Sequence, residues 1–243
     1  MKRYGLLGKT LKHSFSKTYF SKKFEEEGIP DCSYENYELE NIEQLAELLK
    51  QNPDLKGLNV TIPYKEEVIP YLNFKNDIVS KIKACNCIKI SEGQLHGFNT
   101  DVIGFKQSLE NFLQPQHTKA LVLGTGGSAK AVYYALESLN IEYKIVSRTK
   151  TSNTLTYEEV NAQLLEECKL IINTSPVGMY PHMDDAPKIP YQHLHSQHLL
   201  FDLIYNPAKT KFLQLGEDRG ASICNGSEML VLQAEESWRI WNS

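Results

Sequence analysis

Apolar and polar positions along the chain switch repeatedly between two periods. Short apolar runs that end in glycine, proline or asparagine read as buried strands. They are RYGLLG (3–8), CSYENYEL (32–39), LKGLNVTI (55–62), ALVL (120–123), YKIVSRTK (143–150), KLIINTSPVGM (169–179) and LLFDLIYNP (199–207), the last two running into loops. Between them lie segments with helical spacing. SKTYFSKKFEEEG (16–28) reads as a helix with Ser16 as N-cap and Gly28 as stop. NIEQLAELLKQN (41–52), the stretch from 101 to 112, the stretch after the glycine turn at 124, and 226–241 read likewise. CIKI and LHGFN flank the turn SEGQ as a hairpin. Strands alternating with helices predict an α/β protein with largely parallel sheets. LQPQHTK, around Pro115, reads as a junction. The expected division is a first domain, 1–101, rejoined by the C-terminal helix 226–243, and a Rossmann-type doubly wound domain, 102–225.

Composition narrows the partners. A net charge of -4 with no basic domain argues against nucleic acid. No run approaches the roughly 20 apolar residues of a membrane span, and the N-terminus lacks a signal-peptide apolar core, so a cytoplasmic protein is expected. Monomer and homodimer are both open. The five cysteines are odd in number and form no C-x-x-C pair, which favours structural thiols. HLHSQH, with His193, His195 and His198, has no accompanying acid or cysteine pattern and reads as a polar segment, so no metal is expected.

Three stretches carry chemistry. In NVTIPYKEEV (59–68), Pro63 fits the start of a helix, and Glu66 and Glu67 suit its first turn. Lys65 does not, because an ammonium beside the positive helix end is disfavoured by about 0.3–1 kcal/mol. It is either a surface lysine reaching water along its stem or a lysine placed for chemistry. Next, Gly124-Thr-Gly126-Gly127-Ser128-Ala129 matches G-x-G-x-x-G/A, follows a strand and opens a helix. That context suits a dinucleotide pyrophosphate. Where an NAD site places an acid, this chain has Ser147-Arg148-Thr149-Lys150. A guanidinium fork with flanking hydroxyls and an added lysine charge suits the 2′-phosphate of NADP. In the first half, HSFS sets Ser14 and Ser16 two apart, on one side of an extended loop. Asn86 stands in an apolar stretch, and GFNTDVIGF puts Asn99, Thr100 and Asp101 at a helix start, where Asp101 also suits an N-cap.

In order along nearly the whole chain, these stretches resemble the shikimate dehydrogenases. HSFS resembles the family's S-x-S loop, NVTIPYK its N-V-T-x-P-x-K motif and GFNTDVIGF its G-x-N-T-D-x-x-G. VLGTGGSAKA resembles the glycine loop and SRT the N-R-T, while NTSPVGM, DLIYNP and NGSEMLVLQA resemble three later motifs. The resemblance implies reversible NADP-dependent reduction of 3-dehydroshikimate to shikimate, toward chorismate and the aromatic amino acids. It implies Lys65 and Asp101 as the catalytic pair, Ser14 and Ser16 on the substrate carboxylate, and Thr61, Asn86 and Gln233 on ring hydroxyls or carbonyl, with Tyr205 near the carboxylate. It also implies Gly124, Gly126, Gly127, Ser128 and Ala129 along the pyrophosphate, Ser147, Arg148 and Thr149 at the 2′-phosphate, and Met179 and Gly226 near the nicotinamide. Lys17, Cys87 and Ser147 depart from the proline, threonine and asparagine usual in the family. Two rival readings are a quinate or dual quinate/shikimate dehydrogenase, often NAD-linked, and a non-catalytic NADP-binding sensor. Arg148 without a nearby acid argues against the first, and retention of both Lys65 and Asp101 against the second.

Overall fold

Strands and helices alternate as the hydrophobic runs predict, in a computed structural model that describes residues 1–11 and 14–243. The chain divides into two units, Met1–Asp101 with Gln233–Ser243, and Val102–Leu232. Both crossings fall inside helices: α5 (Asp101–Glu110) leads out of the first unit and α9 (Ser227–Trp241) leads back.

The first unit contains β1 (Lys2–Gly8), α1 (Phe15–Glu26), β2 (Cys32–Glu38), α2 (Leu45–Gln51), β3 (Leu55–Val60), α3 (Tyr64–Glu67), β4 (Phe74–Lys75), α4 (Asp77–Ile82), β5 (Cys87–Ser91) and β6 (Gln94–Phe98). Its six-stranded sheet has the order β2-β1-β3-β5-β6-β4. Apolar cores cover both faces, which is why its central strands read as near-continuous apolar runs. Leu7, Leu58, Tyr64 and Ile88 belong to one core. Tyr4, Phe20, Tyr34 and Trp241 belong to the other. The sheet is mixed, since β5 runs antiparallel to both neighbours.

The second unit contains β7 (Lys119–Leu123), α6 (Gly127–Ser138), β8 (Glu142–Val146), α7 (Ala162–Glu167), β9 (Leu170–Asn173), β10 (Leu199–Asp202), α8 (Lys211–Glu217) and β11 (Ser222–Cys224). Its sheet is wholly parallel, in the order β11-β10-β9-β7-β8. The order reverses between β7 and β9, and open α/β sheets bind ligands outside the carboxyl ends of strands at such a reversal. Helix α6 buries Val132, Ala135 and Leu136, the i, i+3, i+4 stripe of an amphipathic helix.

Local chemistry accounts for several differences from the sequence reading. Helix α1 is capped by Ser14, not Ser16: the Ser14 hydroxyl accepts the Lys17 N–H at 3.1 Å, the N-cap to N3 bond. Ser16 therefore lies within the helix, and the two serines do not share one side of an extended loop. The 41–52 segment starts as a 3₁₀ turn at Ile42–Gln44 before α2. The proline-led helix is a single turn with Pro63 at its N-cap. β4, α4, α7, α8 and β11 are too short for a periodic signal. The five cysteines are free thiols.

Candidate active site

Register brings four loops of the first unit to one end of its sheet. β1 and β3 run parallel, so the segments after Gly8 and after Val60 leave the same end. Asn59 pairs with Cys87 across the antiparallel β3–β5 ladder, which delivers Asn86 to that end. Cys87 pairs with Phe98, so β6 also finishes there and hands on Asn99, Thr100 and Asp101.

At this end the Lys65 ammonium donates to Asp101 Oδ2 at 2.7 Å. The two side chains are 13% and 11% exposed. Asn86 Nδ2 donates to Asp101 Oδ1 at 2.9 Å and to Thr100 Oγ1 at 3.0 Å, while the Thr100 N–H donates to Asn86 Oδ1 at 2.6 Å. The amide thus stands in one orientation with both sides used. The Lys65 carbonyl accepts the Cys85 N–H at 2.7 Å, which ties the lysine's backbone to the segment bearing Asn86. Gln233, where α9 re-enters the first unit, has its Oε1 3.4 Å from the Thr100 hydroxyl. Thr61 N–H bonds the Leu7 carbonyl and fixes the β3–α3 loop beside β1. Ser14 is engaged as the cap of α1, and Ser16 lies within reach of the Tyr34 hydroxyl.

This geometry excludes one of the two readings of Lys65. A single turn such as α3 has little macrodipole to oppose an ammonium. The lysine is not a surface group reaching water either, because it is largely buried and paired. Removing one member of such a pair would strand the other's charge.

In the second unit, Gly124 follows β7 with φ +119, and a Cβ there would lie 2.7 Å from Thr174 Oγ1. Only glycine fits that turn. Tyr133 donates its hydroxyl to the Gly124 carbonyl at 2.8 Å and braces the loop. Gly126 is the N-cap of the 12-residue α6. A Cβ on Gly126 or Gly127 would meet nothing within 4 Å. Internal packing therefore does not explain these two glycines, which leave open space at the N-terminus of α6; Ser128 is half-buried there and Ala129 is buried. Ser147, Arg148 and Thr149 follow β8. Arg148 is exposed, and Ser147 Oγ accepts the Thr149 N–H at 3.3 Å. Lys150, expected to add charge beside Arg148, is instead ion-paired with Glu159, which also accepts the Thr156 N–H in a capping box.

Tyr205 and Met179 are 38% and 48% exposed. A Cβ at Gly226 would lie 2.1 Å from the Leu203 carbonyl oxygen, so the chain passes there only as glycine. Close to Tyr205 in the chain, buried Asp202 accepts from Asn173 Nδ2, the Ile204 N–H and Thr210 Oγ1, locking the ends of β9 and β10 together. Burial pushes its carboxyl up to about 6 against those three donors. His195 contacts Lys169 and Glu166, and His198 is buried against the Leu165 carbonyl, which leaves its pKa lowered by desolvation. Among the described residues no group of three or more His, Cys, Asp or Glu is placed to hold a metal ion, and no helix is long and apolar enough to cross a membrane.

The shikimate dehydrogenase substrate binding domain matches residues 6–88. The NADP(+) shikimate dehydrogenase of Clostridium beijerinckii is 39% identical, over 99% of this chain and 92% of its own. The chain belongs to the shikimate dehydrogenase family. Among solved members, the shikimate 5-dehydrogenase of Thermus thermophilus, in complex with NADP(H) and shikimate, superposes with a TM-score of 0.88 at 31% identity, covering 99% of this chain and 93% of that one. The chorismate mutase/shikimate 5-dehydrogenase fusion protein of Clostridium acetobutylicum also gives 0.88, at 36% identity, with 100% and 91% covered. Two polar residues beside this family member's candidate site escaped the sequence reading as site residues, Asn59 and Ser237. Asn59 opens the NVTIPYK motif without having drawn a role of its own. Ser237 carries no local signal, since a serine inside an amphipathic helix is ordinary.

Proposed function

We propose that the chain reduces 3-dehydroshikimate to shikimate, reversibly, with NADPH. The observation that carries this reading is the buried Lys65–Asp101 pair at 2.7 Å with Asn86 on its second oxygen, in a chain that belongs to the shikimate dehydrogenase family. Bound NADPH supplies the hydride. Lys65 meets the negative charge that grows on the carbonyl oxygen and gives it a proton from Nζ; in the reverse direction it takes that proton back. Asp101 holds the ammonium in place through Oδ2. Ser14 and Ser16 receive the substrate carboxylate, and Thr61, Asn86 and Gln233 the ring oxygens. Gly124, Gly126, Gly127, Ser128 and Ala129 line the pyrophosphate, while Met179 and Gly226 lie along the nicotinamide. Ser147, Arg148 and Thr149 hold the 2′-phosphate.

Turnover of shikimate and quinate, each with NADP and with NAD, tests the reading. Shikimate with NADP is expected to be the best pair. Quinate with NAD as the better pair would favour the quinate reading, and NADP binding without any turnover would favour a sensor. Arg148→Ala is expected to weaken NADPH about 10- to 100-fold by losing a charged hydrogen bond worth roughly 1.5–3 kcal/mol. NADH, which lacks the phosphate, should bind nearly as before. Equal losses for both cofactors, measured by fluorescence titration, would reject the assignment.

A further inference from the structure

A chain of buried polar side chains runs through the first unit and ends at Asp101. Tyr34 donates its hydroxyl to Asn59 Oδ1 at 2.8 Å, and Asn59 Nδ2 donates to Ser237 Oγ at 2.9 Å. Ser237 Oγ lies 3.2 Å from Thr100 Oγ1, which lies 3.0 Å from Asn86 Nδ2. Asn59, Ser237, Thr100 and Asn86 are 4%, 0%, 0% and 3% exposed, so the chain lies inside the unit.

Counting protons gives the arrangement that uses the shortest of these bonds. A serine hydroxyl has one proton and two lone pairs. Ser237 donates its proton to the Gln233 carbonyl one turn back, at 2.9 Å. Its oxygen is then free to accept twice, from Asn59 Nδ2 and from the Thr100 hydroxyl. With its proton on Ser237, the Thr100 oxygen presents lone pairs to Asn86 Nδ2. Asn86 Oδ1 at 3.3 Å and Gln233 Oε1 at 3.4 Å are longer, alternative acceptors for that proton. The second Nδ2 proton of Asn86 goes to Asp101 Oδ1. The direction of hydrogen bonding at Ser237 is thereby passed to the carboxylate that holds Lys65.

We propose that Ser237 is a positioning residue for the reaction: by accepting from both Asn59 and Thr100 it fixes the rotor of Thr100, and so the hydrogen bond by which Thr100 Oγ1 steadies the Asn86 amide on Asp101. This rests on the function proposed above, and it gives the return of α9 a second purpose beyond delivering Gln233. Ser237 touches neither Lys65 nor Asp101; it acts through Thr100 and Asn86.

The test is Ser237→Ala in the full chain, with Ser237→Thr as the variant that keeps the hydroxyl. Ser237→Ala removes the shorter acceptor of Asn59 Nδ2 and of the Thr100 hydroxyl, leaving the first the Asn86 carbonyl at 3.4 Å and the second Asn86 Oδ1 or Gln233 Oε1 at 3.3 and 3.4 Å, so the Thr100 rotor is released from the orientation that meets Asn86 Nδ2. The expected result is a fall of about 10-fold in kcat/KM for shikimate, carried largely by KM, with the Kd for NADP within about twofold of the parent. Ser237→Thr should restore most of the loss. A merely structural serine would reduce the folded fraction and leave the shikimate KM of the folded enzyme unchanged, and that outcome overturns the proposal. Should Ser237→Ala fail to fold, Thr100→Val removes the next hydroxyl at nearly constant shape and carries the same expectation and the same refutation. A parent chain that binds NADP but does not turn over shikimate would sink the proposed function instead.

Discussion

Lys65→Ala is expected to lower kcat for shikimate oxidation by about two to four powers of ten, the usual worth of general acid–base assistance. Substrate KM should change much less, because the residues proposed to hold the substrate, Ser14, Ser16, Thr61 and Gln233, remain. Lost together in kcat and kcat/KM, such an effect marks an interaction made mainly in the transition state. The geometry supports so large a figure. The ammonium is held at 2.7 Å, is only 13% exposed, and is tied at its backbone carbonyl to Cys85. Water therefore cannot readily take over the proton transfer. The variant also leaves Asp101 buried with Asn86 but no counter-charge, so its folded fraction must be measured by thermal melting and divided out. A folded Lys65→Ala protein with near-normal turnover would reject the role of the lysine.

What could be read in advance divides by range along the chain. The glycine turn was legible because strand, turn and helix are contiguous and each constrains the next. The central strands β7, β9 and β10 were legible because both sheet faces are buried there, which makes their runs nearly all apolar. The reversal of β5 was visible only as a hairpin, and the mixed sheet followed from where that hairpin attaches to β3. Capping by Ser14 was missed because two serines two apart offer two equally good caps, and only the path of the loop selects one. Lys65 and Asp101 are 36 residues apart, so no local pattern joins them, and the family resemblance alone suggested the pairing. Ser237 lies 178 residues from Asn59, and nothing in its own helix distinguishes it from a tolerated interior serine. The pairing of Lys150 was illegible for a related reason: its partner Glu159 comes from a later stretch of chain, outside the segment that follows β8.

Trp241→Ala should be the most destabilising single change in the first unit, at about 3–5 kcal/mol, the range for emptying a buried aromatic site. Its indole stacks on Tyr4 with ring centroids 4.9 Å apart and an interplanar angle of 25°, and it also packs near Phe20 and Tyr34. Nε1 donates to the Ile88 carbonyl at 3.0 Å. Gly57 is what admits the ring, since a Cβ there would lie 2.3 Å from Nε1. Truncation removes the stack, opens a void against a strand that has no side chain to fill it, and leaves the Ile88 carbonyl without this donor. The midpoint of urea unfolding, followed by far-UV circular dichroism, should fall markedly, whereas Val231→Ala, at an exposed position of the same helix, should stay within about 0.5 kcal/mol of the parent. An unchanged midpoint for Trp241→Ala would mean that the ring does not anchor α9. The consequence reaches the chemistry because Ser237 and Gln233 lie one and two turns before the ring on the same helix. They are pinned there by Trp241 on one side and by Glu235 on the other, where Glu235 accepts from Lys23 at 2.9 Å through both oxygens. In the folded fraction of Trp241→Ala, shikimate KM should therefore rise while NADP affinity holds, the same division expected from Ser237→Ala but reached by loosening the helix rather than by deleting its hydroxyl.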